Sequence, residues 1–126
     1  SDRLSEAAQR VLIDPVAALG APAVQEFGLQ RPRLHRGLVI SGDRFVSTAA
    51  ESDTLRAALP DALAGEMEGA AVAQVCADFG RPFAVIRTVS DRADDSAHVD
   101  FNRFIAEVAS VYTREILGTW LSGRVD

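Results

Sequence analysis

Residues 62–89 read ALAGEMEGAAVAQVCADFGRPFAVIRTV, and the change of pattern along this stretch decides the fold. A brief run at 62–65 enters the acidic triplet EME as a short strand would. From Gly69 the chain turns alanine-rich, with Val72, Val75, Cys76 and Phe79 at helical spacing on one side and Gly80 as a stop. Residues 82–89 are then apolar apart from Arg87 and Thr88, which predicts a strand covered on both faces, as in a parallel sheet flanked by helices. Strand, helix and strand in that order predict the α/β class.

Working upstream, 36–40 (RGLVI) is an apolar run stopped by Ser41-Gly42-Asp43, the pattern of a buried strand, and a loop follows with Arg44, Phe45 and Val46. Residues 52–59 carry a Ser or Asp cap and short helical periodicity that ends at Pro60. The first residues repeat Leu4, Ala7, Ala8, Val11 and Leu12, an amphipathic helix behind a Ser1 or Asp2 cap. Between them, 14–35 holds three prolines and two glycines and reads as a connection with a short helical turn at 21–27. Downstream, Asp100 can cap a long helix whose Phe101, Phe104, Ile105, Val108, Val111, Tyr112 and Leu117 form one apolar stripe reaching about Trp120.

A chain of 126 residues, 48% hydrophobic and 25% charged, suits one ordinary globular domain. Thirteen Lys and Arg against eighteen Asp and Glu leave a net charge of -5, which disfavours nucleic acid as a partner. No stretch approaches the roughly 18 apolar residues of a membrane span, and no apolar signal core opens the sequence, so a cytoplasmic protein without a membrane partner is expected. Cys76 is the single cysteine and reads as a small buried hydrophobe. His35 and His98 lack ligand spacing, so no metal is expected, and His98 is a lid-loop residue at most.

In parallel α/β sheets ligands sit beyond the carboxyl ends of the strands. Three polar clusters fall there: Ser41-Gly42-Asp43, Glu66-Met67-Glu68 and Ser90-Asp91. Any one of them alone is explained by strand ends meeting water. Glu68, at a helix N-terminus, could simply complement the helix dipole for about 0.3–1 kcal/mol. It could equally accept hydrogen bonds from a vicinal diol, with Met67 as a soft floor beneath a sugar. Arg87 inside an apolar run needs a partner, and Glu66 or Glu68 is the obvious one; a structural ion pair and a catalytic role both remain open at this point.

Three segments, SGDRFV at 41–46, EMEGAAVAQVC at 66–76 and VIRTVSDRAD at 85–94, resemble in sequence and order the C-terminal half of 5′-methylthioadenosine/S-adenosylhomocysteine nucleosidases, within the purine nucleoside phosphorylase superfamily. EME before a small-residue helix, and SD after a strand, belong to the whole superfamily. GD-x-F-[IV] together with SD-x-AD points to its hydrolytic branch. The likeness runs to about Leu117, although 14–35 is longer and richer in proline than the family pattern.

The resemblance implies the C-terminal part of a mixed, largely parallel sheet flanked by helices, with residues 1–126 as the C-terminal half of a single nucleosidase domain, incomplete without an N-terminal half. It implies hydrolysis of the N-glycosidic bond of adenosine-type nucleosides with release of adenine, a place in methionine salvage, no cofactor and a homodimer. Asp91 matches the acid that protonates adenine at N7, and Glu68 the residue that grips the ribose hydroxyls. Arg87 matches an arginine near the attacking water. Met67 and Glu66 match the sugar site, Ser90 the support of Asp91, and Phe45 and Val46 the segment that stacks on adenine; Phe101 matches an aromatic of the pocket wall. Phe45 and Phe101 would otherwise be ordinary core residues. Nothing in the chain matches the family's N-terminal half, which supplies the glutamate that activates water, so this chain by itself is expected to be inactive. Two further readings stand beside this one: a phosphorylase, in which phosphate attacks the sugar, and a nucleoside-binding remnant without turnover.

Overall fold

The computed structural model describes residues 2–90 and 101–123. They fall into two compact units, one drawn from residues 1–34 and 100–126 and the other from 35–99.

The first unit is helical. The 3.6-residue periodicity of the opening stretch forms α1 (Asp2–Leu12), which packs against the C-terminal helix. The proline-rich connection is more ordered than its sequence suggests and contains two short helices, α2 (Pro15–Leu19) and α3 (Ala21–Glu26). Prolines start rather than break them: Pro15 and Pro22 occupy first-turn positions, where the missing N–H has no intrahelical partner anyway. The Asp14 carboxylate accepts from the Ala17 N–H at 2.9 Å and caps α2. Gly28, at φ +65°, closes α3 with the paired hydrogen bonds of a Schellman turn.

The expected C-terminal helix is present in three parts, α6 (Phe101–Phe104), a π-helical segment (Ile105–Ala109) and α7 (Ser110–Ser122); its Asp100 cap lies outside the described residues. The inserted π turn rotates the stripe. Val108, Tyr112 and Ile116 are buried at four-residue spacing, whereas Phe101, Ile105 and Leu117 are exposed. Helix α7 packs against α1, whose buried Ala7 and Ala8 allow close helix approach, and Ala23 and Val24 of α3 are buried as well. Burial pushes the Tyr112 phenol upward in pKa. Phe27 meets Phe104 edge to face at 5.6 Å, and Arg103, paired with Glu26 and Glu107, lies 5.8 Å from the Phe27 ring centroid.

The second unit is a β–α–β–α run. Strands β1 (Leu38–Ser41) and β2 (Ala62–Glu66) pair in parallel, joined by α4 (Ala49–Ala58), and β2 leads into α5 (Gly69–Asp78). Helix α4 begins three residues ahead of the expected 52: Thr48 is the cap, its hydroxyl accepting from the Glu51 N–H at 3.3 Å while Glu51 reaches back to the Ser47 N–H. Helix α5 ends as expected, with Gly80 at φ +59°, Gly80 N–H to Ala77 C=O and Arg81 N–H to Cys76 C=O.

Three expectations for this unit fail, the first being that β1 is buried: Leu38 and Val39 are exposed. Residues 82–89 form no strand: among the described residues the sheet has two members, β1 and β2, and this segment pairs with neither. The apolar face of α5 is also uncovered: Val72, Val75 and Phe79 are exposed, Phe79 by 76%, and Cys76 is half-buried rather than buried. Every buried apolar side chain among the described residues belongs to the first unit. Among the described residues no helix is long and apolar enough to cross a membrane.

Candidate functional site at the carboxyl ends of the parallel strands

The register sets the last residues of the two strands side by side, Ser41 opposite Glu66, and the ladder is extended by the Gly42 N–H donating to the Glu66 carbonyl at 3.0 Å. Alternation along β2 leaves Ala62, Ala64 and Glu66 half-buried and Leu63 and Gly65 exposed, so Glu66 follows two small residues on the more covered face. The chain then turns into α5, whose first N–H groups have no intrahelical acceptor.

Glu66 fills that need. Its carboxylate accepts from the Gly69 N–H at 2.8 Å on both oxygens and from the Glu68 N–H at 3.1 Å. Arg87 forms an ion pair with this carboxylate. Burial raises the pKa of Glu66, with 9% of its side chain exposed, but Ser41, Arg87 and the two backbone N–H groups outweigh it and hold the group at about 2 instead of 4.5. Gly69 leaves room for this arrangement: a Cβ at that position would stand 2.5 Å from Glu66 Oε1 and force the carboxylate to shift.

Glu68 is placed differently. It starts α5 without capping it, its side chain is 69% exposed, and one oxygen lies 2.6 Å from Arg87 Nη2. Arg87 therefore bridges an anchored carboxylate and a presented one. Burial lowers the Arg87 pKa, and the two carboxylates more than reverse that, so the guanidinium stays charged. Both partners weighed for Arg87 on sequence grounds are thus engaged together, although the segment that carries it forms no strand.

Met67 is exposed by 44%, between the two glutamates. Phe45 is exposed and Val46 half-buried, on the loop that joins β1 to α4. That loop is tied to α4 by Arg44 Nη2 to Glu51 Oε1 at 2.9 Å and by the Thr48–Glu51 cap. Ser90 is half-buried. Asp91 and His98 lie outside the described residues, and Phe101 opens α6 in the other unit. Among the described residues no three His, Cys, Asp or Glu side chains gather where a metal ion could be held.

Ser41 stood in one of the three polar clusters at the strand ends but received no role, because a serine before Gly-Asp also reads as turn punctuation. Its hydroxyl accepts from the Ala70 N–H at 3.1 Å, across 29 residues of sequence. Only the parallel register could have revealed it.

Residues 1–120 match the family described as the Phosphorylase superfamily. The chain belongs to that superfamily. Among solved structures, this superfamily member is similar to a 5′-methylthioadenosine/S-adenosylhomocysteine nucleosidase from Colwellia psychrerythraea in complex with adenine, at 29% identity and a TM-score of 0.69 over 96% of this chain and 44% of that one. It is similar to an S-adenosylhomocysteine nucleosidase from Streptococcus pyogenes in complex with 5-methylthiotubericidin, at 37% identity and a TM-score of 0.64 over 87% of this chain and 45% of that one. A futalosine hydrolase of Helicobacter pylori matches at 32% identity and a TM-score of 0.64, again over 87% and 45%. The chain spans less than half the length of each of these relatives.

Proposed function

We propose that this chain supplies the base- and ribose-binding part of a nucleosidase that hydrolyses the N-glycosidic bond of 5′-methylthioadenosine and S-adenosylhomocysteine and releases adenine. The observation that carries the reading is the Glu66–Arg87–Glu68 fork at the strand ends, which leaves Glu68 exposed beside a fixed positive charge. A solvent-facing carboxylate held in this way suits a ribose diol, whose two hydroxyls can donate to its two oxygens. Glu66, engaged by Arg87 and two N–H groups, is a support of the site rather than a sugar contact.

In this mechanism Glu68 holds the hydroxyls and favours the cationic sugar as the C1′–N9 bond lengthens. Arg87 stands near the attacking water, and Met67 lies beneath the sugar. Phe45 and Val46 receive the adenine. The electron pair of the breaking bond passes into the base, Asp91 supported by Ser90 protonates N7, and the water oxygen bonds C1′. The proton of the water goes to a glutamate of a complementary half outside this chain. Asp91, Ser90 and Phe101 enter on the sequence match alone. The complementary half would also cover Val72, Val75 and Phe79, whose exposure supports its existence. A cytoplasmic homodimer in methionine salvage completes the proposal.

The test is adenine release by the protein that carries this chain, with a panel of 5′-substituted nucleosides and with and without phosphate. Release in phosphate-free buffer is expected. Release that requires phosphate would make the protein a phosphorylase, and binding without release would make it a nucleoside-binding protein.

A further inference from the structure

We propose that Glu51 is a positioning residue for the base-receiving segment Phe45–Val46, its single carboxylate holding the residue on each side of that pair. The inference deepens the nucleosidase reading and rests on it for the role of Phe45 and Val46, whereas the clamp itself is a matter of geometry.

The segment lies on the loop from β1 to α4, outside the ladder and the helix, with Phe45 exposed and Val46 half-buried. Glu51 is the third residue of α4, and the cap of that helix needs only the Thr48 hydroxyl, which accepts from the Glu51 N–H at 3.3 Å. Two bonds of the Glu51 carboxylate lie outside the helix and serve none of its N–H groups. Oε1 accepts from Arg44 Nη2 at 2.9 Å, immediately before Phe45, and Oε2 accepts from the Ser47 N–H at 3.3 Å, immediately after Val46. The Thr48 hydroxyl, 3.2 Å from the same Oε2, steadies that oxygen. Because a peptide unit is planar, fixing the Ser47 N–H also fixes the direction of the Val46 carbonyl. The two ties are unequal: the Arg44 side chain is 85% exposed, where an ion pair is screened and weak, so the hold rests mainly on the backbone tie.

The experiment compares Glu51→Ala, Glu51→Gln and Thr48→Ala in the protein that carries this chain. Glu51→Ala removes both ties. Glu51→Gln keeps a side-chain oxygen for the Ser47 N–H and loses the charge that holds Arg44, and Thr48→Ala removes the cap and leaves both ties. Nitrogen NMR relaxation reads the order parameters of the Phe45 and Val46 amides, and steady-state kinetics with 5′-methylthioadenosine read the consequence for the base. In Glu51→Ala the order parameters should fall from about 0.85 to below about 0.6. KM should rise about five- to tenfold, the factor one hydrogen bond carries, with kcat within about twofold, since the base is held alike in ground and transition states. Glu51→Gln should stay within about twofold of the wild-type KM, and so should Thr48→Ala, although loss of the cap lowers its melting temperature. Order parameters unchanged in Glu51→Ala, or lowered as far in Thr48→Ala, would overturn the proposal and leave Glu51 as part of the helix cap. An active Glu51→Ala protein with unchanged KM would overturn it too, and so would a Gln variant as impaired as Ala, since the hold would then lie in Arg44 alone. Failure of Glu51→Ala to fold would overturn it by making the carboxylate a scaffold requirement. If the wild-type protein released no adenine, the nucleosidase reading would fall while the order parameters still judged Glu51.

Discussion

Replacing Glu66 by Gln keeps the size of the side chain and removes its charge, so it isolates what the anchored carboxylate contributes to the second unit. Each tenfold in acidity corresponds to about 1.4 kcal/mol, so holding this carboxyl at about 2 instead of 4.5 corresponds to about 3 kcal/mol. Arg87 is 39% exposed, and solvent screening of that partner brings the expected loss to about 2 kcal/mol. The sign follows from a pKa lowered in the folded state. The stabilisation is complete above pH 4.5, declines as the pH falls towards 2, and is gone once the carboxyl is protonated in both states. A protonated Glu66 and a Gln present similar faces to Arg87 and to the Gly69 N–H. Urea denaturation of the two proteins across pH 2 to 7 should therefore show a gap near 2 kcal/mol at neutral pH that closes at the acid end. A gap that stays constant with pH would refute the argument, since the loss would then come from packing or from the amide and not from charge.

Other outcomes follow from the same geometry. Gly69→Ala should destabilise by about 1–3 kcal/mol in thermal or urea unfolding, because its Cβ would collide with the carboxylate that starts α5. Glu68→Gln should leave stability nearly unchanged, since the side chain is 69% exposed, while raising KM and lowering kcat for nucleoside. Asp91→Asn should preserve nucleoside binding by calorimetry but slow adenine release about 10²–10⁴-fold, the usual value of a general acid; near-normal release would remove Asp91 from the chemistry.

Much of this was legible in local pattern. The 3.6-residue repeats gave the helices, and Gly80 marked the end of α5 because only a residue without a Cβ takes φ +59° freely. Thr48 with Glu51 was a readable capping signal, yet the polar, irregular 47–51 stretch hid it behind the later Ser52. The proline-rich 14–35 stretch misled for the opposite reason, since a proline is a breaker inside a helix and a starter in its first turn. The hydrophobicity of 82–89 signalled a place in a sheet, but pairing depends on a neighbour that sequence periodicity cannot supply.

By itself, then, the sequence determined the helices α1, α4 and α5 with the two strands before α5, the superfamily motifs and the need of Arg87 for an acidic partner, because each of these follows from residues a few positions apart. The tertiary structure decided which glutamate does what. Glu66 and Glu68 are chemically identical and two residues apart, and only the end of β2 and the start of α5 separate them: one carboxylate turns back under the helix to meet Gly69 and Arg87, and the other reaches Arg87 from solvent. The contact of Ser41 with α5 was equally invisible, since the Ala70 N–H lies 29 residues away and is brought to it by a parallel register that no short-range pattern encodes.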